Sequence, residues 1–187
     1  MIKIDVRLDI AQARREFAGD QKQVTKAALR ALDRVSTTAR KGADQEMRSR
    51  ITLKSGVVKN ALTIVYPFGR LNMIRDLVTT GKPIALREWQ ARPTAKGVTF
   101  AIVKGRRRVY KRQGRAAFEI TKLGRHVFVR LEDDPPGPAK GRIKKVYGPS
   151  LTQRFMTKKV QQVIQRVVAE RWPLEFDREL KFRASKL

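Results

Sequence analysis

His126 is the only histidine in the chain of 187 residues, and so the one side chain whose ordinary pKa lies near neutrality. A lone histidine excludes every two-histidine metal motif, and the absence of cysteine excludes disulfides, thiolate nucleophiles and cysteine-bound zinc. His126 stands in "RHVFVRLE", where Val127, Val129 and Leu131 alternate with polar or aromatic neighbours. That is a strand pattern, and the residue is read as an edge or surface histidine without a catalytic role. Asp133 and Asp134 are adjacent carboxylates, the raw material of a magnesium-dependent nuclease. They open "DDPPGPAKG", whose three prolines and two glycines favour a solvated loop near residues 133–142. Neither "GRLNMIRD" nor "KGRRRVYKRQGR" has the glycine spacing of a phosphate loop ahead of Lys-Ser/Thr. The expectation is therefore no enzyme, no cofactor and no metal.

The basic stretch from Lys104 to Arg115 carries a different chemistry. Lys104, Arg106, Arg107, Arg108, Lys111, Arg112 and Arg115 are seven cations in twelve residues with no acid among them. They follow a strand pattern and include Tyr110, which suggests a basic arm or hairpin near residues 104–125. A guanidinium offers two parallel donors to a phosphate or carboxylate. Three readings stand: contact with phosphates, contact with an acidic protein surface, or a solvated charge run. Lys144 and Lys145 add two cations further on. No zinc finger, RNP aromatic signature or recognition helix accompanies them, so sequence-specific readout is not expected.

The whole composition points the same way. The chain has 43 Lys+Arg against 17 Asp+Glu, a formal charge of +26. Such self-repulsion calls for a polyanionic partner or an acidic neighbour, a profile shared by ribosomal, chromatin-like and virion proteins. The N-terminal "MIKIDVRLDI" lacks the continuous apolar core of a signal peptide, and no apolar run approaches the ~20 residues that span a bilayer. A soluble, unsecreted protein without a membrane partner is expected.

The elements that position these groups are legible as periodicities. Ile2, Ile4, Val6 and Leu8 alternate with charged residues as in a half-buried strand. From about Ala11 to Arg50, the residues Phe17, Val24, Ala28, Leu32, Val35, Ala39, Ala43 and Met47 follow helical spacing, with Gly19 and Gly42 as weak points. "SGVVKNAL" predicts a short helix capped by Ser55, "LTIVYPF" a strand ended by Pro67, "GKPIALREW" a loop or single turn, and "GVTFAIVKG" a strand bounded by Gly97 and Gly105. After Pro149, Leu151, Phe155, Val160, Val163, Ile164, Val167 and Val168 are helical in period. Pro173 is expected to stop or kink that helix, leaving "LEFDRELKF" as a last short one. The fold class is α+β: a mainly antiparallel sheet packed by a long N-terminal helix and a long C-terminal helix, in one domain over residues 1–187.

"KKVYGPSLTQRF" joins the Pro/Gly loop to the C-terminal helix. Gly148-Pro149 supplies a turn, Ser150 a cap, and Leu151 and Phe155 face the core one helical turn apart. Physics alone makes this a well-built loop-to-helix junction. In order and spacing, "TGKPIALREWQARPTAKGVTFAIVKGRRRV", "VYGPSLTQRF" and "LEFDREL" resemble the minor tail protein Z family of tailed phages and prophages. The positions that carry the likeness are Gly81, Pro83, Ile84 and Leu86, with the turn motif Tyr147, Gly148, Pro149 and Ser150. The resemblance implies a virion protein with no catalytic residues: a tail completion or neck component at the head-proximal end of the tail, needed for head–tail joining and DNA positioning. It implies as partners further copies of the chain in a ring, commonly hexameric, a tail terminator or tail tube protein, head–tail connector proteins and duplex DNA in the channel. The protein would pass from host cytoplasm during assembly to the virion. The alternative from composition is a nonspecific nucleic-acid-binding protein of host type.

Overall fold

The structure is a computed structural model, and it describes residues 2–5, 21–67, 73–112, 115–131 and 142–185. The chain, expected as one domain, groups into two compact units of separated stretches. The first takes its described residues from Met1–Met47, Lys59–Thr80 and Thr152–Leu187, the second from Arg48–Val58 and Gly81–Leu151. Phe17, Gly19, Asp133, Asp134 and the Pro/Gly loop lie outside the described residues, as do residues 113–114 of the basic stretch.

In the first unit, strand β1 (Ile2–Asp5) and strand β2 (Leu62–Val65) flank β3 (Ile74–Thr79), all antiparallel. Helix α1 (Gln21–Arg50) carries the predicted apolar stripe: Val24, Ala28, Leu32, Val35, Ala39, Ala43 and Met47 are all buried. Gly42 is a site of close approach in this helix. A Cβ there would stand 3.2 Å from Val163 Cγ1, so the missing side chain lets helix α4 (Lys158–Ala184) come near. The two helices run antiparallel. Gln23 accepts from Arg183 at 2.7 Å near one end, and Arg34 reaches Glu179 at 2.7 Å further along.

Three expectations for the helices are corrected. Pro173 does not end the C-terminal helix, which continues to Ala184. The proline is exposed, so water can take the carbonyl it leaves free, while buried Trp172 and Phe176 stack at 5.1 Å on the inner side. Ser150 is not the residue before the helix: the short α3 (Thr152–Phe155) follows Leu151, and α4 restarts after Thr157. Helix α2 (Ser55–Ala61) has Ser55 inside its first turn rather than as cap, with the Lys54 carbonyl accepting from Val57 and Val58.

Strand β3 itself had no expectation, because Arg75 and Asp76 break its apolar pattern. Both are buried. Arg75 Nε donates to Asp33 Oδ1 at 2.8 Å, Nη1 donates to the Ile74 carbonyl at 2.9 Å, and the guanidinium lies 4.5 Å from the centre of the Tyr66 ring. A buried guanidinium tolerates its desolvation only with this degree of pairing.

The second unit is built of short antiparallel sheets. Strands β4 (Arg92–Thr94), β5 (Gly97–Ala101) and β6 (Arg107–Val109) form one in that order. The predicted strand over residues 97–105 ends at Ala101; Gly105, at φ 77, makes the reversal into β6 that needs a glycine. Strands β7 (Lys111–Arg112) and β8 (Arg115–Ala116) make a small hairpin. Strands β9 (Phe118–Ile120), β10 (His126–Arg130) and β11 (Ile143–Lys145) form the last sheet with β10 in the middle. A 3-10 turn at Leu86–Glu88 fills the place read as a loop or single turn. Its core includes Leu86, Trp89, Val98, Val127, Val129 and Val146. Helices at both ends of the chain and antiparallel sheets between them make the fold α+β. Among the described residues no helix is long and apolar enough to cross a membrane.

Arg75→Ala removes a buried side chain, its hydrogen bonds and its contact with Tyr66 together. It should lower stability by about 3 kcal/mol in urea unfolding, whereas Lys181→Ala, which loses only an exposed pair with Asp177, should be near neutral.

Candidate functional site

The segments Gly81–Leu86 and Tyr147–Ser150 meet in the second unit. Leu86 N–H donates to the Val146 carbonyl at 3.0 Å, Gly148 N–H donates to the Ile84 carbonyl at 2.7 Å, and Ala85 and Tyr147 form an antiparallel bridge. Trp89, fully buried, seals this junction. A Cβ on Gly148 would overlap the indole, 2.6 Å from Cδ1, so the glycine of the turn motif is there to admit a tryptophan. The alternation fixes what faces out. Leu86 and Trp89 turn inward with Arg87 exposed between them, while Val146 turns inward between half-buried Lys145 and exposed Tyr147.

The predicted cations all fall in the second unit but in different places. Lys104, Arg106, Arg107 and Arg108 lie in and before edge strand β6, all exposed. Lys111, Arg112 and Arg115 belong to the β7–β8 hairpin, and Lys144 and Lys145 to β11. Two of the run are tied back to the fold. Arg107 donates to Thr99 Oγ1 at 3.1 Å and to the Gln90 carbonyl at 3.2 Å, and Arg115 donates to the Leu131 carbonyl at 2.8 Å. Lys104 gives its backbone N–H to the Arg50 carbonyl at 2.9 Å. Lys104, Arg106, Arg108, Lys111 and Arg112 are exposed side chains available to a partner. Pro149 is exposed and Ser150 half-buried, beside the Trp89 junction.

A polar cleft of about 580 Å³ opens nearby, with Lys54, Arg87, Glu88, Gln90, Glu119 and Arg125 on its walls. Gln90 at φ 52 and Arg125 at φ 55 are the non-glycine residues with left-handed backbone among those described. Such strain gathers where a side chain must be aimed in a set direction. Sequence reasoning passed over Arg87 and Arg125 because each is a single cation outside the dense run. The available signal was the "GRH" that places Arg125 next to the lone histidine.

His126 opens the middle strand β10, half-buried. Lys145 Nζ lies 3.1 Å from its Nε2. An ammonium only donates, so Nε2 accepts and the proton of the neutral ring sits on Nδ1, which is buried without a partner. Burial, then the charges of Lys145 and Arg87, push its pKa below the ordinary value of 6.5, opposed by Glu88. Among the described residues no group of three His, Asp or Glu side chains is placed to hold a metal ion.

Comparison with protein-family models, with curated proteins and with solved structures finds no match.

Gly148→Ala should cost about 2 kcal/mol through overpacking and red-shift the emission of Trp89, measured against a Trp172→Phe background. His126 predicts an acid limb. Its folded pKa is lowered, so below about pH 6.5 the unfolded chain takes up a proton that the folded one resists, and stability falls with pH. His126→Gln should flatten that limb in urea midpoints measured from pH 7 to pH 5.

Proposed function

We propose that the protein is a structural virion component of a tailed phage or prophage, acting as a tail completion or neck protein in head–tail joining and DNA positioning rather than as an enzyme. The observation that carries this reading is the junction around Trp89. Segments Gly81–Leu86 and Tyr147–Ser150, far apart in sequence, are the ones that resemble the minor tail protein Z family, and they are bonded into one structural unit. A likeness held by two motifs that build one feature together weighs more than two short motifs met separately.

The electrostatics agree with this role. A charge of +26 repels copies of the chain from one another unless duplex DNA or acidic neighbours offset it. Among the described residues edge strand β6 has no partner on its outer side in the sheet order β4, β5, β6, and an open edge is a template for another chain once its positive charge is offset. The partners of the proposal are thus further copies in a ring, the tail terminator or tail tube, connector proteins and channel DNA. A nonspecific nucleic-acid-binding protein is the second reading, favoured by the exposed cations of Lys104 to Arg112.

Nuclease-treated protein at high salt should give, by light scattering, a mass several times that of the 21.4 kDa chain, with closed rings in negative stain, either alone or after purified tails are added. Lysates of a phage carrying a stop codon in this reading frame should contain filled heads and separate tails that join when the purified protein is supplied. Normal joining without the protein sinks the proposal; a monomer that only binds DNA favours the second reading.

A further inference from the structure

A second group of cations lies outside the basic run. Arg87, Arg125, His126 and Lys145 converge on the turn at Gly124, although they come from the 3-10 turn, the turn before β10, β10 itself and β11. Arg87 Nη1 donates to the Gly124 carbonyl. The same Nη1 and His126 Nε2 each lie 3.9 Å from the point where a Cβ on Gly124 would stand, and Lys145 Nζ is 3.1 Å from that Nε2. Arg125 follows directly, held at positive φ and lining the cleft beside Arg87.

Three permanent cations around one turn repel one another, and among the described residues none of the three has an ion pair. The backbone accounts for Arg87 alone, through the Gly124 carbonyl. The N–H groups of Gly124 and Arg125 are already spent on the Thr121 and Ile120 carbonyls. Glu88 and Glu119 share the cleft, but at His126 the combined pull of Lys145 and Arg87 exceeds that of Glu88. The balance of charge beside His126 is therefore positive. Tyr147, half exposed, lies with its ring centre 5.5 Å from Lys145 Nζ and borders that end with a flat aromatic face.

We propose that Arg87, Arg125 and Lys145 form a binding site for a phosphate ester of nucleic acid at the Gly124 turn, flanked by Tyr147. Guanidinium forks suit phosphate oxygens and an ammonium adds a point charge, while an aromatic ring beside a cation is how single bases or sugars are held without sequence preference. Polyanionic protein carboxylates are the rival occupant. The site stands independently of the virion reading, since a host-type protein would use it equally.

Because His126 is the only histidine, its Cε1–H proton resonance reports on this site alone. The full chain is titrated from pH 8 to pH 5 by NMR, free and with pyrophosphate, a 20-base-pair duplex, a 20-base single strand or polyglutamate. Duplex and single-strand binding are followed in parallel by anisotropy. A phosphate beside His126 favours the charged ring, so its midpoint should rise by about 0.5 unit or more. Lys145→Gln or Arg125→Gln should lower the slope of log affinity against log salt by about one. Arg106→Gln with Arg108→Gln should leave the His126 response intact. A rise with pyrophosphate and with either nucleic acid supports the proposal, and the relative size of the two nucleic-acid responses says which form is preferred. An unmoved resonance while nucleic acid is visibly bound overturns it, as does a response to polyglutamate alone.

Discussion

Trp89 leaves no space for a side chain at position 148, and much of the second unit follows from that contact. The indole is fully buried, and burying so large a ring is a principal apolar gain for a unit made of short strands. To reach it, the chain leaving β11 must pass close over the ring as a bare backbone, which only glycine permits. That approach brings Gly148 N–H to the Ile84 carbonyl and Leu86 N–H to the Val146 carbonyl. Once the bridge is set, local geometry does the rest, as alternation along the chain after β11 and as the three-residue period of the 3-10 turn. Burying Val146 commits Lys145 and Tyr147 to the other side, and burying Leu86 and Trp89 leaves Arg87 outside. Apolar packing thus sends Arg87 and Lys145 outward, and among the described residues neither has an ion pair.

The two units treat their charge differently. In the first, Arg75 is paired with Asp33 and Arg34 with Glu175 and Glu179 across packed elements, so charge serves to fasten helix to strand and helix to helix. In the second, Arg87, Arg125 and Lys145 have no ion pair among the described residues, and Arg107 and Arg115 are satisfied by hydroxyl and carbonyl oxygens. A neutral acceptor anchors a guanidinium without cancelling its charge. The field of this unit therefore stays positive and available to a partner, which a fold stabilised by internal ion pairs would have lost.

How much of this the sequence disclosed follows from what each signal measures. The α1 stripe was legible because its buried residues are apolar and evenly spaced over a long element. Strand β3 was not, because its buried Arg75 and Asp76 register as polar in any pattern of hydrophobicity although both are inside. The stop at Pro173 was overestimated because the rule concerns the lost backbone bond, whereas here the proline is on the wet side and Trp172 and Phe176 hold the helix together on the other. The basic run was legible as charge density, yet density does not say which side chains are spent internally. Arg87 and Arg125 were missed because their partnership is tertiary: they are 38 positions apart and share a cleft only after the 3-10 turn and the β9–β10 connection are folded.

The basic run is, in the structure, largely an edge strand and a hairpin rather than a loose arm, and this changes how it must act. In β6 the side chains alternate across a paired backbone whose register with β5 is Thr99 to Val109, Phe100 to Arg108 and Ala101 to Arg107. Arg107 is folded onto its own sheet while its neighbour Arg108 projects on the opposite face. Ordering such side chains on a partner costs less entropy than ordering a flexible tail, because the backbone is already fixed. The same positive edge also discourages two copies from pairing edge to edge through β6, since like charges directly opposed are unfavourable. A chain that assembles with itself must then do so through another surface, or through β6 only when an anion stands between the copies.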